Sequence, residues 1–386
     1  MKDVYIISAK RTPIGKYRGM FKDKSAVELA STLLAASLND LNIAPNKVDG
    51  VLMGNVIGAG LGENMARQVA LKAGLDQATV ATTVNDVCGS SLKALRLAEG
   101  QMQMGDLDLV AVGGSESMTN APFLVDKKYK ENASEHLVAS LFQDGLNDAF
   151  SGKPMGITAE NVAEKYHVTR EEMDQFSLRS QQKATEAMKK NVFVDEIIPI
   201  EVDGQLVDKD ESIRTDSTYE ALAGLKPVFK ENGAVTAGNS SPINDGASML
   251  ILATAEKVKE LNLQPIAKLG GYAEAGFDPE LMGYTPYYAI KKLMQKTGRT
   301  LADYDVVELN EAFAAQAIAV AHDLAIPETK LNPLGGAIAL GHPLGATGTR
   351  LVVTAINALN KAEQKRALVS LCIGGGQAIA YEIELV

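Results

Sequence analysis

The chain has 386 residues, 46% hydrophobic and 22% charged, with a formal net charge of −10. That length exceeds what one hydrophobic core serves, so two or three packed units are expected, and the acidic balance argues against a nucleic-acid or membrane-surface role. With only Cys88 and Cys372, no leader-like apolar segment at the start and no run approaching about 20 apolar residues, the expectation is a reduced cytoplasmic protein without a disulfide scaffold or membrane span.

In chain order, Met1 to Lys10 reads as a strand running into the turn Arg11-Thr12-Pro13. Val51-Leu52-Met53 reads as a buried strand, and a helix beginning near Leu92 sets Leu92, Leu95, Ala98 and Met102 on one face. Leu109-Val110-Ala111-Val112 is the next strand. Residues 118–245 are more polar and less periodic, with Lys127, Lys128, Lys130, Asp208, Lys209 and Asp210 in loops, as in an elaborated insertion. Within it, Thr169 and Glu172 have capping-box spacing ahead of a helix whose face carries Met173, Phe176 and Ser180. Val306-Val307 and Leu368-Val369-Ser370-Leu371 complete the strands. Strand-length apolar runs alternating with helical periods predict α/β layers with buried sheets.

The two ends of the chain are alike. Val48 to Asn55 matches Tyr304 to Asn310, each a strand closing on asparagine; Leu109 to Gly114 matches Leu368 to Gly375, each a buried strand closing on glycines. A duplicated α/β unit follows, with Asn310, His342 and Cys372 at strand ends or glycine-rich turns of the second copy, where open sheets place their sites.

Four residues carry candidate chemistry. Cys88 precedes the helix near Leu92, where the positive dipole end favours a thiolate. His342 sits in Gly341-His342-Pro343-Leu344-Gly345, which reads as an exposed, fixed turn. Cys372 runs into Gly374-Gly375-Gly376, whose amides can serve as oxyanion donors. Asn310 opens Asn310-Glu311-Ala312-Phe313-Ala314 at a strand end, placed to hold a water or donate a hydrogen bond. Gly58-Ala59-Gly60-Leu61-Gly62 fails the dinucleotide fingerprint at Glu63, and Gly145 to Gly152-Lys153 has the wrong spacing for a phosphate loop. Four scattered histidines and two lone cysteines give no metal-ligand spacing.

The four segments around Cys88, Asn310, His342 and Cys372 resemble the signature blocks of the thiolase family, in the family's order. The likeness extends from Ser8-Ala9-Lys10-Arg11-Thr12-Pro13-Ile14-Gly15 through Gly156 to Asn161 and Thr236-Ala237-Gly238-Asn239 to the end. The resemblance implies a five-layered αβαβα fold of two similar halves, 1–117 with 246–264 and 265–386, plus an inserted loop domain, 118–245, that binds CoA. It implies Cys88 as nucleophile, His342 as its activator, Cys372 as the acid/base at the α-carbon, and Asn310 holding a water that completes an oxyanion hole with His342. The N–H groups of Cys88 and Gly374 would form a second hole. Arg214, Ser241 and Ala237 match CoA-contacting positions, and Leu146, Met155 and Phe313 match pocket-lining ones. The substrates implied are acetyl-CoA, acetoacetyl-CoA and CoA, with no metal, no separate cofactor and a homodimer or homotetramer. Ser91 and Ala378 stand where glycine is usual, and Pro154 where synthetic members carry histidine. Gly145 to Phe150 still resembles the synthetic branch, so acetyl-CoA C-acetyltransferase activity is favoured over cleavage of longer 3-ketoacyl-CoAs. The rivals are a condensing synthase of the same superfamily and a non-catalytic thiolase-like lipid carrier; a second cysteine at 372 disfavours the first, and retention of all four blocks the second.

Overall fold

The computed structural model describes residues 3–386, so Met1 and Lys2 of the expected first strand lie outside the described residues. The first half runs β1 (Val4–Arg11), α1 (Ala26–Asp40), β2 (Gly50–Gly54), α2 (Met65–Lys72), β3 (Val80–Val84), α3 (Ser90–Met104) and β4 (Leu109–Ser117). The chain then leaves through α4 (Gly156–Lys165) and α5 (Arg170–Lys189) and re-enters the sheet as β5 (Asn244–Thr254). The second half runs β6 (Ala267–Gly276), α6 (Pro286–Thr297), β7 (Val306–Leu309), α7 (Ala314–Leu324), α8 (Thr347–Lys361), β8 (Arg366–Ile373) and β9 (Gln377–Leu385).

The suspected duplication is visible in the pairing. In the first half β2 lies parallel to β3 and β4, while β5 runs antiparallel to β4 and β1. In the second half β7 lies parallel to β8 and bridges in parallel from Val307 to Leu331, while β9 runs antiparallel to β8 and β6. Among the described residues the two halves of the sheet are joined where Tyr5 and Ile6 of β1 pair with Lys268 and Ala267 of β6.

Side-chain alternation makes the layers. Val110 and Val112 of β4 and Val369 and Leu371 of β8 face an inner core with Leu92 and Leu95 of α3 and Leu351 and Val352 of α8. Leu109 and Ala111 face α1 and α2 on one outer side; Leu368 and Leu309 face α6 and α7 on the other. The result is the αβαβα order, with α3 and α8 sandwiched between the sheets. Their close approach requires small residues, because a Cβ on Gly348 would lie 2.7 Å from Leu92 N. Ser91, where a glycine was expected, uses its hydroxyl to accept from Thr349 N–H (3.0 Å) at the start of α8.

The insertion departs from the loop reading at one place and is more buried than a loop at another. Lys127, Lys128 and Lys130 lie in a 3₁₀ segment, Lys127–Glu135, rather than in open loop. Asp210 does lie in a loop but is buried, because its carboxylate takes both terminal nitrogens of the fully buried Arg11 (2.6 and 2.9 Å) while Glu196 takes the third (2.6 Å). This paired cluster ties the insertion to β1; removing one partner would strand a buried charge.

Candidate active site

Cys88 is delivered by a strained elbow between β3 and α3. Val87, a β-branched residue, is held at φ +46°, a left-handed conformation costing roughly 1–3 kcal/mol. Asn85 Oδ1 accepts from Val87 N–H (3.0 Å), and Ser90 Oγ accepts from Asp86 N–H while donating to Val87 O (2.9 and 2.6 Å), which holds the turn closed. Helix α3 begins at Ser90, two residues before the position expected. The expected thiolate-favouring effect of the helix end does not prevail. Burial pushes the Cys88 thiol up to about 12, outweighing the N–H groups of Gly374 and Cys88 itself that favour the anion. Cys88 therefore needs a base.

That base lies in the glycine-rich turn before α8. His342 is not exposed, as the turn suggested, but 5% accessible, because the turn packs beneath the start of β5. Asn244 Oδ1 accepts from His342 N–H (3.0 Å), and its amide nitrogen donates to Gly15 O and Ser212 Oγ (both 2.9 Å). Gly341 takes φ +113° directly against that amide, where a Cβ would come within 2.5 Å. Burial, with the charge of Arg350 second, lowers His342 to about 3, so the ring is neutral at pH 7.

Its tautomer follows from Thr347. The single hydroxyl proton of Thr347 goes to Pro343 O (2.9 Å), so the 2.6 Å contact to His342 is Nδ1–H donating to Thr347 Oγ1. Nε2 is left with its lone pair, consistent with Asn310 Nδ2 approaching it at 3.5 Å. Asn310 follows β7 directly and is 1% exposed, and its Oδ1 makes no hydrogen bond to the protein.

Cys372, 1% exposed near the end of β8, is pushed well above the ordinary thiol range by burial and by Cys88. Both cysteines are free thiols. Gly374 leaves room for Met155, whose methyl would be 2.7 Å from a Cβ there.

Cys88, His342 and Cys372 open into one cavity of about 390 Å³, together with Leu146, Met155, Phe313, Arg214, Ala237 and Ser241. Every pocket residue expected from the sequence is therefore brought together, with Asn310 and Gly374 behind the lining. Ser241 is fixed by N–H donation to Ala312 O (2.9 Å), and the exposed Arg214 stands at the mouth. Pro154 also lines the cavity, as do Phe142, Val228 and Phe229, which sequence reasoning did not single out. A larger cleft of about 540 Å³ between α5 and α7 holds Lys183, Arg179 and His322 but no thiol. Its buried Glu311 is engaged by Ser180, Asn332 and the N–H of Ile338.

Four buried supports escaped the sequence reading, Asn244 among them. Thr347 and Gln316 differ in no visible way from ordinary helix residues. Glu116 closes a buried strand, where a carboxylate is unusual, and that was the available signal. It accepts from Asn55 Nδ2 and the N–H groups of Val56, Ile57 and Gly345 (2.8–3.0 Å), pinning the histidine turn to the nucleophile's half. No group of three or more potential metal ligands occurs among the described residues, and none of their helices is long and apolar enough to cross a membrane.

Family models described as the thiolase N-terminal domain and the thiolase C-terminal domain match residues 4–256 and 263–385. A probable acetyl-CoA acyltransferase of Staphylococcus aureus (strain COL) is 46% identical over 387 aligned residues, covering 98% of each chain. The crystal structure of the Bacillus anthracis acetyl-CoA acetyltransferase superposes with TM-score 0.96 at 39% identity, covering 100% of this chain and 99% of that one. Human mitochondrial 3-ketoacyl-CoA thiolase in complex with CoA gives 0.96 at 40%, covering 100% and 98%. The chain belongs to the thiolase family. It is an acyltransferase of that family, and nearly equal identity to an acetyltransferase and to a 3-ketoacyl-CoA thiolase leaves the acyl chain to be decided by the cavity.

Proposed function

We propose that the protein catalyses the reversible Claisen condensation of two acetyl-CoA to acetoacetyl-CoA and CoA through an acetyl-Cys88 intermediate. The observation that carries this reading is the meeting of two thiols and a neutral histidine, its Nε2 free to accept, in one cavity. Nε2 of His342 takes the Cys88 proton and the sulfur attacks the thioester carbonyl. Departing CoA is protonated by Cys372, which leaves Cys372 as thiolate for the second substrate. That thiolate removes a proton from the methyl carbon of acetyl-CoA. The imidazolium Nε2–H, with a water held by the free Oδ1 of Asn310, stabilises the enolate oxygen. The enolate carbon attacks acetyl-Cys88, whose oxyanion sits between the N–H groups of Cys88 and Gly374. Collapse releases acetoacetyl-CoA and the Cys88 sulfur. Arg214, Ala237 and Ser241 hold CoA; Leu146, Met155 and Phe313 limit acyl depth.

A second reading has one observation behind it: Pro154, Phe142 and Val228 make the cavity wall apolar, as longer acyl chains would require. Cleavage of acetoacetyl-CoA by CoA, followed through the absorbance of its magnesium enolate, is compared with cleavage of six- to eight-carbon 3-ketoacyl-CoAs. Acetoacetyl-CoA is expected to have the higher kcat/KM, and one acetyl group should appear on Cys88 by mass spectrometry. The reverse preference assigns the degradative activity instead.

A further inference from the structure

We propose that Gln316 is the positioning residue for the acid/base thiol, holding the Cys372 proton and thereby setting the pH at which that sulfur becomes a base. Gln316 is the third residue of α7, fully buried, with its side chain between two parts of the site. Its amide nitrogen donates to Asn310 O (3.0 Å) and its amide oxygen lies 3.1 Å from Cys372 Sγ. The orientation is forced by chemistry. A backbone carbonyl only accepts, so the NH₂ must face Asn310, and the oxygen that remains can meet Cys372 only if the thiol donates. A glycine at 283 is part of this fit, because a Cβ there would stand 2.5 Å from Gln316 Cβ.

A hydrogen bond made only by the neutral form stabilises that form. Ionised Cys372 would face an amide oxygen that cannot turn away without releasing Asn310. Few other groups compete: the titratable neighbours are Cys88 and, across the cavity, His342, while Met282, Ala312, Met155 and Phe313 around the sulfur are apolar. Gln316 therefore keeps Cys372 protonated for release of CoA, and through Asn310 it couples the thiol to the enolate site.

The proposal rests on Cys372 moving the α-proton, but its test does not. Alkylation of Cys372 by iodoacetamide at one fixed, mildly alkaline pH, where its rate is proportional to the thiolate fraction, is followed by peptide mass spectrometry in the parent, in Gln316→Met, which keeps the shape and loses both polar ends, and in Gln316→Glu. The Met variant should alkylate at Cys372 about tenfold faster. In Gln316→Glu a protonated acid reproduces both bonds and an ionised one repels the thiolate, so its rate stays at or below the parent's. A Met variant at or below the parent rate, or a Glu variant above it, overturns the proposal; the Glu variant alone decides if near-ultraviolet circular dichroism shows the Met variant unfolded. Failure of Cys372→Ala to impair α-proton exchange would instead overturn the role of Cys372, whatever the alkylation rates are.

Discussion

Thr347→Val removes one oxygen from the site and leaves its shape nearly unchanged, which isolates the tautomer argument. In the parent, Thr347 Oγ1 accepts from His342 Nδ1–H at 2.6 Å and passes its own proton to Pro343 O at 2.9 Å. Without the hydroxyl, a buried N–H donor loses its partner, at a cost of about 1–3 kcal/mol. The ring can recover part of that cost by moving its proton to Nε2, which removes the lone pair that must accept the Cys88 proton. If the lost bias toward the Nδ1–H form is of that size, the base-competent fraction falls between about 5- and 150-fold. The rate of Cys88 acetylation in a single turnover with acetyl-CoA, measured by quenched mass spectrometry, should fall within that range. Thr347→Ser keeps the hydroxyl and should remain within about twofold of the parent. Parent-rate acetylation in the folded Val variant would refute the assignment of Thr347 as the group that fixes His342.

Four further outcomes follow from the same geometry. With His342 lowered to about 3 and Cys88 raised to about 12, the acetylation rate should show no inflection near the ordinary histidine value of 6.5; a clear acid limb there would mean that the ring is hydrated when the enzyme works. Stability carries the complementary signature: the depressed histidine contributes stability present above 6.5 and lost as pH falls toward about 3, a dependence that His342→Gln should remove from urea titrations. Glu116→Gln replaces an acceptor-only group facing four donors, so equilibrium unfolding should show a loss of about 1–3 kcal/mol for each donor left unpaired; an unchanged midpoint would mean that the histidine turn does not depend on it. Cys372→Ala should still accept acetyl on Cys88 but should not exchange deuterium from D₂O into the methyl of acetyl-CoA. Retained exchange with collapsed acetylation would mean that the two thiols have opposite roles.

What was legible in the sequence follows from what local patterns encode. Val110 and Leu109 belong to one continuous apolar run whose length made the strand readable, yet only the fold shows that one faces α3 and the other α1. Cys88, His342, Asn310 and Cys372 stood out because each sits where a strand or helix breaks on glycine or asparagine, and such costly backbone marks a site. Their electrostatics did not follow from those positions. A cysteine at a helix start suggests a thiolate and a histidine among glycines suggests exposure, but both are buried, and desolvation of the Cys88 sulfur outweighs the two N–H groups directed at it. Thr347, Gln316 and Asn244 were invisible for a related reason. Gln316 and Asn244 meet Cys372 and His342 across 56 and 98 positions of chain, which no local pattern records, and Thr347, though only 5 positions from His342, looks like any threonine at a helix start. Cys88, His342 and Cys372 thus announce themselves by the positive-φ turns beside them, at Val87, Gly341, Gly375 and Gly376. The groups that decide which nitrogen or sulfur holds the proton appear only when β7, β8 and the turn before α8 are brought together.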